Sequence, residues 1–170
     1  MDALTPYLAH RPAKTTDLAA VAAFAQTPEE LFFCYPTATW PLDADQLQRS
    51  MTTRRDSTLA LVDERAVGFA NLYQWRHGKH CALGNLMVAP GQRGVGVAQY
   101  LVGAMEELAR THFQARYLNA CCFNANSPAL RLYLKLGFQV TGLAEQLDHR
   151  QQRVVLVQLQ KNLRPGPIAA

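Results

Sequence analysis

Apolar runs in this chain of 170 residues, such as LALV and VVLV, are short. None approaches the ~20 consecutive apolar residues that a membrane-crossing helix takes, so no membrane association is expected. The first residues, MDALTPYLAHRPAK, show no basic stretch followed by an apolar one, and no secretory leader is expected either. Cys34, Cys81, Cys121 and Cys122 make up the cysteines, and no two of them have C-x-x-C spacing. That excludes the usual zinc and dithiol patterns and leaves reduced thiols in a cytoplasm as the expectation. His77 and His80 in WRHGKH stand three apart with no evident third ligand, so no metal is expected. Repeats, charge blocks and low-complexity tracts are also missing.

Hydrophobic residues make up 49% and charged residues 18%, which places the chain among ordinary globular domains rather than disordered ones. The length suits one domain, read here as 1–163, followed by a flexible tail at 164–170, RPGPIAA. The net charge of +4 mildly favours anionic ligands. No basic helix or stripe accompanies it, so nucleic acid is not expected as a partner. Monomer and homodimer both remain open.

PYLAHRPA alternates as a strand does, and TTDLAAVAAFAQ follows as a helix with Thr16 or Asp17 near its cap. The Pro-broken, aromatic PEELFFCYPTATWPLD reads as a short helix and a loop, and ADQLQRSMTTRR as another helix. STLALVD and AVGFANLYQW flank a short turn as a hairpin. HCALGNLMVAP is a strand ended by Pro90. From Val97 the apolar residues Val97, Leu101, Met105 and Leu108 fall at helical spacing. ARYLNACCF is a strand, and NSPALRLYLKLG a helix with Ser127 as cap, Pro128 first and Gly137 terminating it. FQVTGLAEQL and QRVVLVQLQ are two closing strands. The strand–loop–helix–strand unit from Leu83 to Cys122 reads as a crossover between parallel strands, with its glycine loop at the end where ligands gather.

That loop, RGVGVA, lacks the Gly-Lys-Ser/Thr of a P-loop, and Gln99 takes the place of the third glycine of a dinucleotide fingerprint. What it has is Gly94 and Gly96 directly before a helix. Bare main chain admits a ligand closely, and the first amides of a helix lack partners and carry partial positive charge. An anion such as pyrophosphate fits there, and the Arg93 side chain is placed to add a charge-assisted contact. A tight turn without a ligand fits the same residues. Some thirty residues later comes N-x-x-A-x-x-L-Y-x-K-x-G-F, with Asn126, Ala129, Leu132, Tyr133, Lys135, Gly137 and Phe138. Helical spacing puts Tyr133 with the core-facing set.

In order and spacing these two motifs, with the VAP before the first, resemble the GNAT superfamily of N-acetyltransferases, and in particular a bacterial subgroup acting on primary amines such as lysine. The resemblance spans most of the chain and is strongest from Leu83 to Phe138. It implies a mixed α/β (α+β) fold, with a mostly antiparallel sheet of six to seven strands, a central splayed parallel pair and about four helices. It implies acetyl-CoA as co-substrate, bound by the backbone of Met87 and Val88 and by the loop amides of Arg93, Gly94, Val95, Gly96, Val97 and Ala98, with Asn126 near the thioester. Tyr133 would be the catalytic acid that protonates the departing CoA thiolate. Direct transfer to a primary amine follows, either a peptide or protein lysine or a small amine. Many superfamily members carry a glutamate base on the fourth strand; here Asn85 stands on that strand with no carboxylate between Cys81 and Ala89. Glu29, Glu30, Glu107, Glu145 or a water chain would have to serve. The same gap keeps open an alternative, a catalytically weak acyl-CoA sensor or regulatory module. Phe33, Tyr35, Trp40, Tyr73 and Trp75 are candidates for an aromatic acceptor wall, or for ordinary core.

Overall fold

The computed structural model describes residues 7–164; of the expected C-terminal tail, all but Arg164 lies outside them. Seven strands form a single sheet: β1 (Leu8–Pro12), β2 (Arg55–Val62), β3 (Arg65–Arg76), β4 (His80–Val88), β5 (Tyr117–Phe123), β6 (Gln139–Leu147) and β7 (Arg153–Asn162). Their order across the sheet is β1-β2-β3-β4-β5-β7-β6. Only β4 and β5 pair in parallel; the other neighbours are antiparallel. The expected sheet is therefore the observed one.

Among the described residues five α-helices accompany it, on the five segments read as helical: α1 (Leu18–Ala22), α2 (Pro28–Cys34), α3 (Ala44–Thr53), α4 (Val97–Phe113) and α5 (Ser127–Lys135). The alanine-rich helix expected over TTDLAAVAAFAQ shrinks to α1, because the chain leaves the helix at Ala23 and turns Phe24 and Ala25 into the core. Asp17 does not cap α1. Its carboxylate instead takes two bonds of 2.8 Å from Arg11 and one of 2.7 Å from the Lys14 amide. Thr27 caps α2 by accepting from the Glu30 amide. At α5 the cap is Asn126, whose side chain accepts from the Ala129 amide, so Ser127 becomes the first helical residue and Pro128 follows it.

Each face of the sheet is covered. On one face Leu59, Phe69 and Met87 pack against Leu18, Val21, Leu31 and Leu47 of the first three helices. On the other, Ala60, Ala70 and Leu72 meet Val97, Leu101, Val102 and Met105 of α4. Adjacent residues such as Leu59 and Ala60 serve opposite faces, as pleating dictates. Burying each large side chain, such as Leu101 or Met105, contributes roughly 1.5–3 kcal/mol. The one acid buried on α4, Glu106, is matched by Lys161 at 2.7 Å.

Candidate active site

β4 and β5 pair at just three positions, His80↔Tyr117, Cys81↔Leu118 and Ala82↔Asn119, and then separate. Beyond them β4 keeps β3 on one side and has an open edge on the other. Which backbone groups occupy that edge follows from the ladder. Between the pairs Asn71↔Gly84 and Phe69↔Met87, β3 advances two residues and β4 three, which marks a bulge. Asn85, at φ 48, sits within it. The Ala89 amide donates to Val67 O at 2.8 Å, so in the alternating antiparallel pattern Met87 also turns its groups to β3. The N–H of Val88 and the C=O of Leu86 are left facing the gap; the C=O of Val88 faces it too but accepts from Arg93 Nε at 3.2 Å. Of the two strand residues expected to meet a ligand, Val88 lies on the open edge; Met87 does not, and Leu86 shares the edge in its place.

Three cavities run along this edge and share lining residues. A cavity of about 420 Å³ lies over the glycine loop, bordered by Arg93, Gly94, Gly96, Val97, Ala98 and Leu132. One of about 250 Å³ adjoins it at Leu86, Val88, Arg93 and Pro128 and includes Asn126. The third, about 630 Å³, shares Leu86, Cys34, Phe33 and Asn126 with the second and holds Tyr133, Tyr73 and Arg54. Together they make one trough from the loop to the middle of the sheet.

At the loop end, Gly94 and Gly96 have φ of +75° and +93°, and a Cβ on either would meet nothing within 4 Å. The main chain there is open to a ligand, and Gly96 is the N-cap of α4, with no side chain answering the free amides. Gly94, Gly96, Val97 and Ala98 line the trough, whereas the Val95 side chain stands exposed. Arg93 departs from expectation. Its guanidinium donates to Glu30 at 2.8 and 3.2 Å, to Phe24 O at 2.9 Å and, through Nε, to Val88 O at 3.2 Å. The side chain is thus a tie between the loop and α2, and only the Arg93 amide is left for an anion.

At the other end Tyr133 is 5% exposed, edge-on to Phe138 at 5.2 Å. Among the described residues no protein group hydrogen-bonds its hydroxyl, which belongs to the third cavity. Burial pushes its phenol above the ordinary value, with Cys122, Cys121 and Tyr73 acting in the same direction. The phenol therefore stays protonated at neutral pH. Asn85 is fully engaged: Oδ1 accepts from Ser50 at 2.6 Å and Asn71 at 2.9 Å, and Nδ2 donates to Cys34 O at 3.1 Å. Among the described residues no Asp, Glu or His lines the third cavity. Glu30 is bound to Arg93, Glu107 faces Arg110 and Glu145 faces Arg153 on the surface, and Glu29 is exposed.

Of the aromatic candidates, Phe33 and Tyr73 line the third cavity. Tyr35 is not among its lining residues and lies toward Arg54, while Trp40 and Trp75 are partly exposed outside it, the latter beneath Arg55 at 4.5 Å. Sequence reasoning missed Phe32 and Phe123, stacked at 4.3 Å on the cavity wall, and it missed Arg54. Among the described residues no cluster of three or more His, Cys, Asp or Glu is placed to hold a metal, and no helix is long and apolar enough to cross a membrane.

A trough of this shape suits an extended donor with a pyrophosphate part-way along and its reactive group at the inner end, the site plan of acyl-CoA-dependent N-acyltransferases. The sequence profile of the acetyltransferase (GNAT) family matches residues 24–138, and the chain belongs to that family. Acetyl-CoA is its co-substrate. No curated protein matches the chain at a significant level. Solved structures resemble it over nearly their whole lengths. A GCN5-related N-acetyltransferase from Kribbella flavida is 26% identical, with a TM-score of 0.71 over 91% of this chain and 97% of that one. The yncA protein of Salmonella typhimurium, solved with its cofactor acetyl-CoA, is 19% identical, with a TM-score of 0.73 over 96% and 98%. The ribosomal-protein-alanine N-acetyltransferase of Brucella melitensis is 22% identical, with a TM-score of 0.73 over 91% and 99%.

Proposed function

We propose that this acetyltransferase acts on a primary amine by direct attack within a ternary complex, with Tyr133 as the general acid. The observation that carries this reading is the continuity of the trough, which joins the glycine loop to the Tyr133 hydroxyl along the open edge of β4. The loop amides from Arg93 to Ala98 hold the pyrophosphate. The Val88 amide and the Leu86 carbonyl take the pantetheine arm as a strand takes its neighbour, and Asn126 stands beside the inner end. Acetyl-CoA supplies an activated thioester there.

Tyr133 keeps its proton until sulfur departs. A phenol near 10 and a thiol near 8.5 make the transfer modestly uphill in water, and the apolar surroundings that raise the phenol raise the thiol as well. A lysine-like amine must first lose a proton, at about 4–5 kcal/mol at pH 7. With no acid or histidine lining the third cavity, that proton leaves through water. The domain is 1–163, in a cytoplasmic protein that is a monomer or homodimer.

Thiol release from acetyl-CoA over a panel of primary amines tests the reading. Tyr133→Phe lowers kcat about 10²–10⁴-fold while KM for acetyl-CoA stays within about twofold. Tight acetyl-CoA binding with no thiol release from any amine would replace this reading with that of a sensor.

A further inference from the structure

Among the described residues the third cavity has one charged side chain, a cation with no counter-ion. Arg54 follows α3 at its C-terminal end, half-buried. Its guanidinium packs over the Tyr73 ring at 4.4 Å and toward Tyr35 at 5.9 Å. Nη1 donates to Asn71 Oδ1 at 3.2 Å, and among the described residues no other protein acceptor meets the head group. No carboxylate comes within 4.0 Å of it, although the protein pairs Arg11, Arg93, Arg110 and Arg153 elsewhere.

The seat for this cation is built. At Gly84 on β4, a Cβ would overlap Arg54 Nη1 and lie 2.9 Å from both Asn71 Oδ1 and Tyr73 Cδ1. Gly84 is not at positive φ, so the backbone does not demand a glycine; a Cβ there would displace the guanidinium from its place beside Asn71 and Tyr73. Asn71 is itself held, donating to Asn85 at 2.9 Å and Ser50 at 3.2 Å. The chain therefore keeps an arginine over bare backbone, fixed on one side, with most of its donors directed at no protein group. Burial alone lowers its pKa, so the protein spends stability to keep the charge there.

We propose that Arg54 anchors the anionic group of the acceptor, and that the acceptor is a small zwitterion of the free amino acid class, an amine carrying a carboxylate. This rests on the acetyl-transfer reading above. The fork geometry of a guanidinium suits a carboxylate in two-point contact. An acceptor lacking an anion would bring a cationic amine beside an unneutralised cation, with no acid in the cavity to balance it. An amino acid neutralises Arg54, and its amine then enters a cavity bordered by Tyr73, Tyr133 and Phe33.

The test compares the common L-α-amino acids with their carboxamides and with spermidine, by thiol release from acetyl-CoA. The expected result is at least one amino acid with kcat/KM about 10- to 100-fold above its carboxamide, the worth of a charge-assisted pair. Arg54→Met erases the acid-over-amide ratio by raising KM for the acid, leaves KM for acetyl-CoA unchanged, and Arg54→Lys restores part of it. A second arm needs no turnover: calorimetric titration of N-acetyl-amino acids and their carboxamides in the presence of CoA, on the wild-type protein and on Arg54→Met. Acid binding that depends on Arg54 without any transfer supports the anion site while refuting the acetyl-transfer reading. Transfer with acids and amides alike, or with spermidine preferred to every acid, overturns the proposal and leaves that reading intact. Neither transfer nor acid binding overturns both.

Discussion

Gly96→Ala separates a cradle from a mere turn, because its two effects have different causes. Gly96 has φ +93°, and a methyl there would meet nothing within 4 Å. The cost to the free protein is therefore backbone strain alone, about 1–2 kcal/mol for an L-residue in the left-handed region. For a domain of this size that lowers Tm by roughly 2–8 °C. The cost to cofactor affinity is separate: on the proposed reading, the methyl stands where a phosphate approaches the first amides of α4. Losing one charge-assisted bond there raises KM for acetyl-CoA about 10- to 100-fold. Gly78, in the turn between β3 and β4, is the matched control: its φ is +74°, and its Cβ would likewise meet nothing within 4 Å. Gly78→Ala should cost a similar Tm and leave KM untouched. Tm by calorimetry and KM by thiol release read both quantities on both variants. If the two variants raise KM alike, or if Gly96→Ala lowers Tm and spares KM, the loop is not the pyrophosphate cradle.

Glu30→Gln releases the Arg93 tie. Since both groups are partly exposed, the loss of stability should stay within about 1 kcal/mol, while KM for acetyl-CoA rises a few-fold as the loop loosens. Asp17, held near 2 by Arg11 and the Lys14 amide against an ordinary 3.8, adds stability above pH 3.8 that fades as pH falls through 2. Asp17→Asn should remove about 2 kcal/mol at pH 7 and flatten the acid limb of a denaturant-midpoint profile in that window. At the alkaline end, burial raises the Cys81 thiol to about 12 and the Cys122 thiol to about 11, from 9.0. Both are raised, so their stability is complete below pH 9 and lost above it, at about 1.4 kcal/mol per pH unit for each thiol between pH 9 and 11. Cys81→Ala should make that limb shallower; an unchanged slope would contradict the assignment.

Much of the frame was legible because it is local. Periodicity and turn residues place all seven strands and the start of α4, and the glycine pair precedes a helix in the sequence itself. What was missed depended on contacts or on a count of one. Only every second residue of β4 turns its backbone groups to one edge, so Leu86 and Val88 share the open edge and Met87, the neighbour that the resemblance paired with Val88, faces β3. Asn126 caps α5 one residue before the serine that composition favours, since an asparagine there reaches the Ala129 amide equally well. Arg93 looked like a phosphate ligand from its place in the loop, but Glu30 lies 63 residues away and claims it first. Arg54 reads as an unremarkable basic residue at the end of a helix; only folding brings it over Gly84 and beside Tyr73.

The gap between β4 and β5 also divides the sheet mechanically. β1–β4 form one plate with α4 lying against it, while β5–β7 form another that carries α5. Within the sheet, a strip of three residue pairs joins the two plates. The glycine loop, the proposed pyrophosphate cradle, rides on the first plate and Tyr133, the proposed acid, on the second. On the proposed mechanism, the spacing between donor and proton source then depends on that narrow strip together with α4, whose Glu106 and Arg110 reach Lys161 and the Leu163 carbonyl. Repacking Cys81 or Leu118, which touch neither ligand, would then retune the rate by altering the angle between the plates.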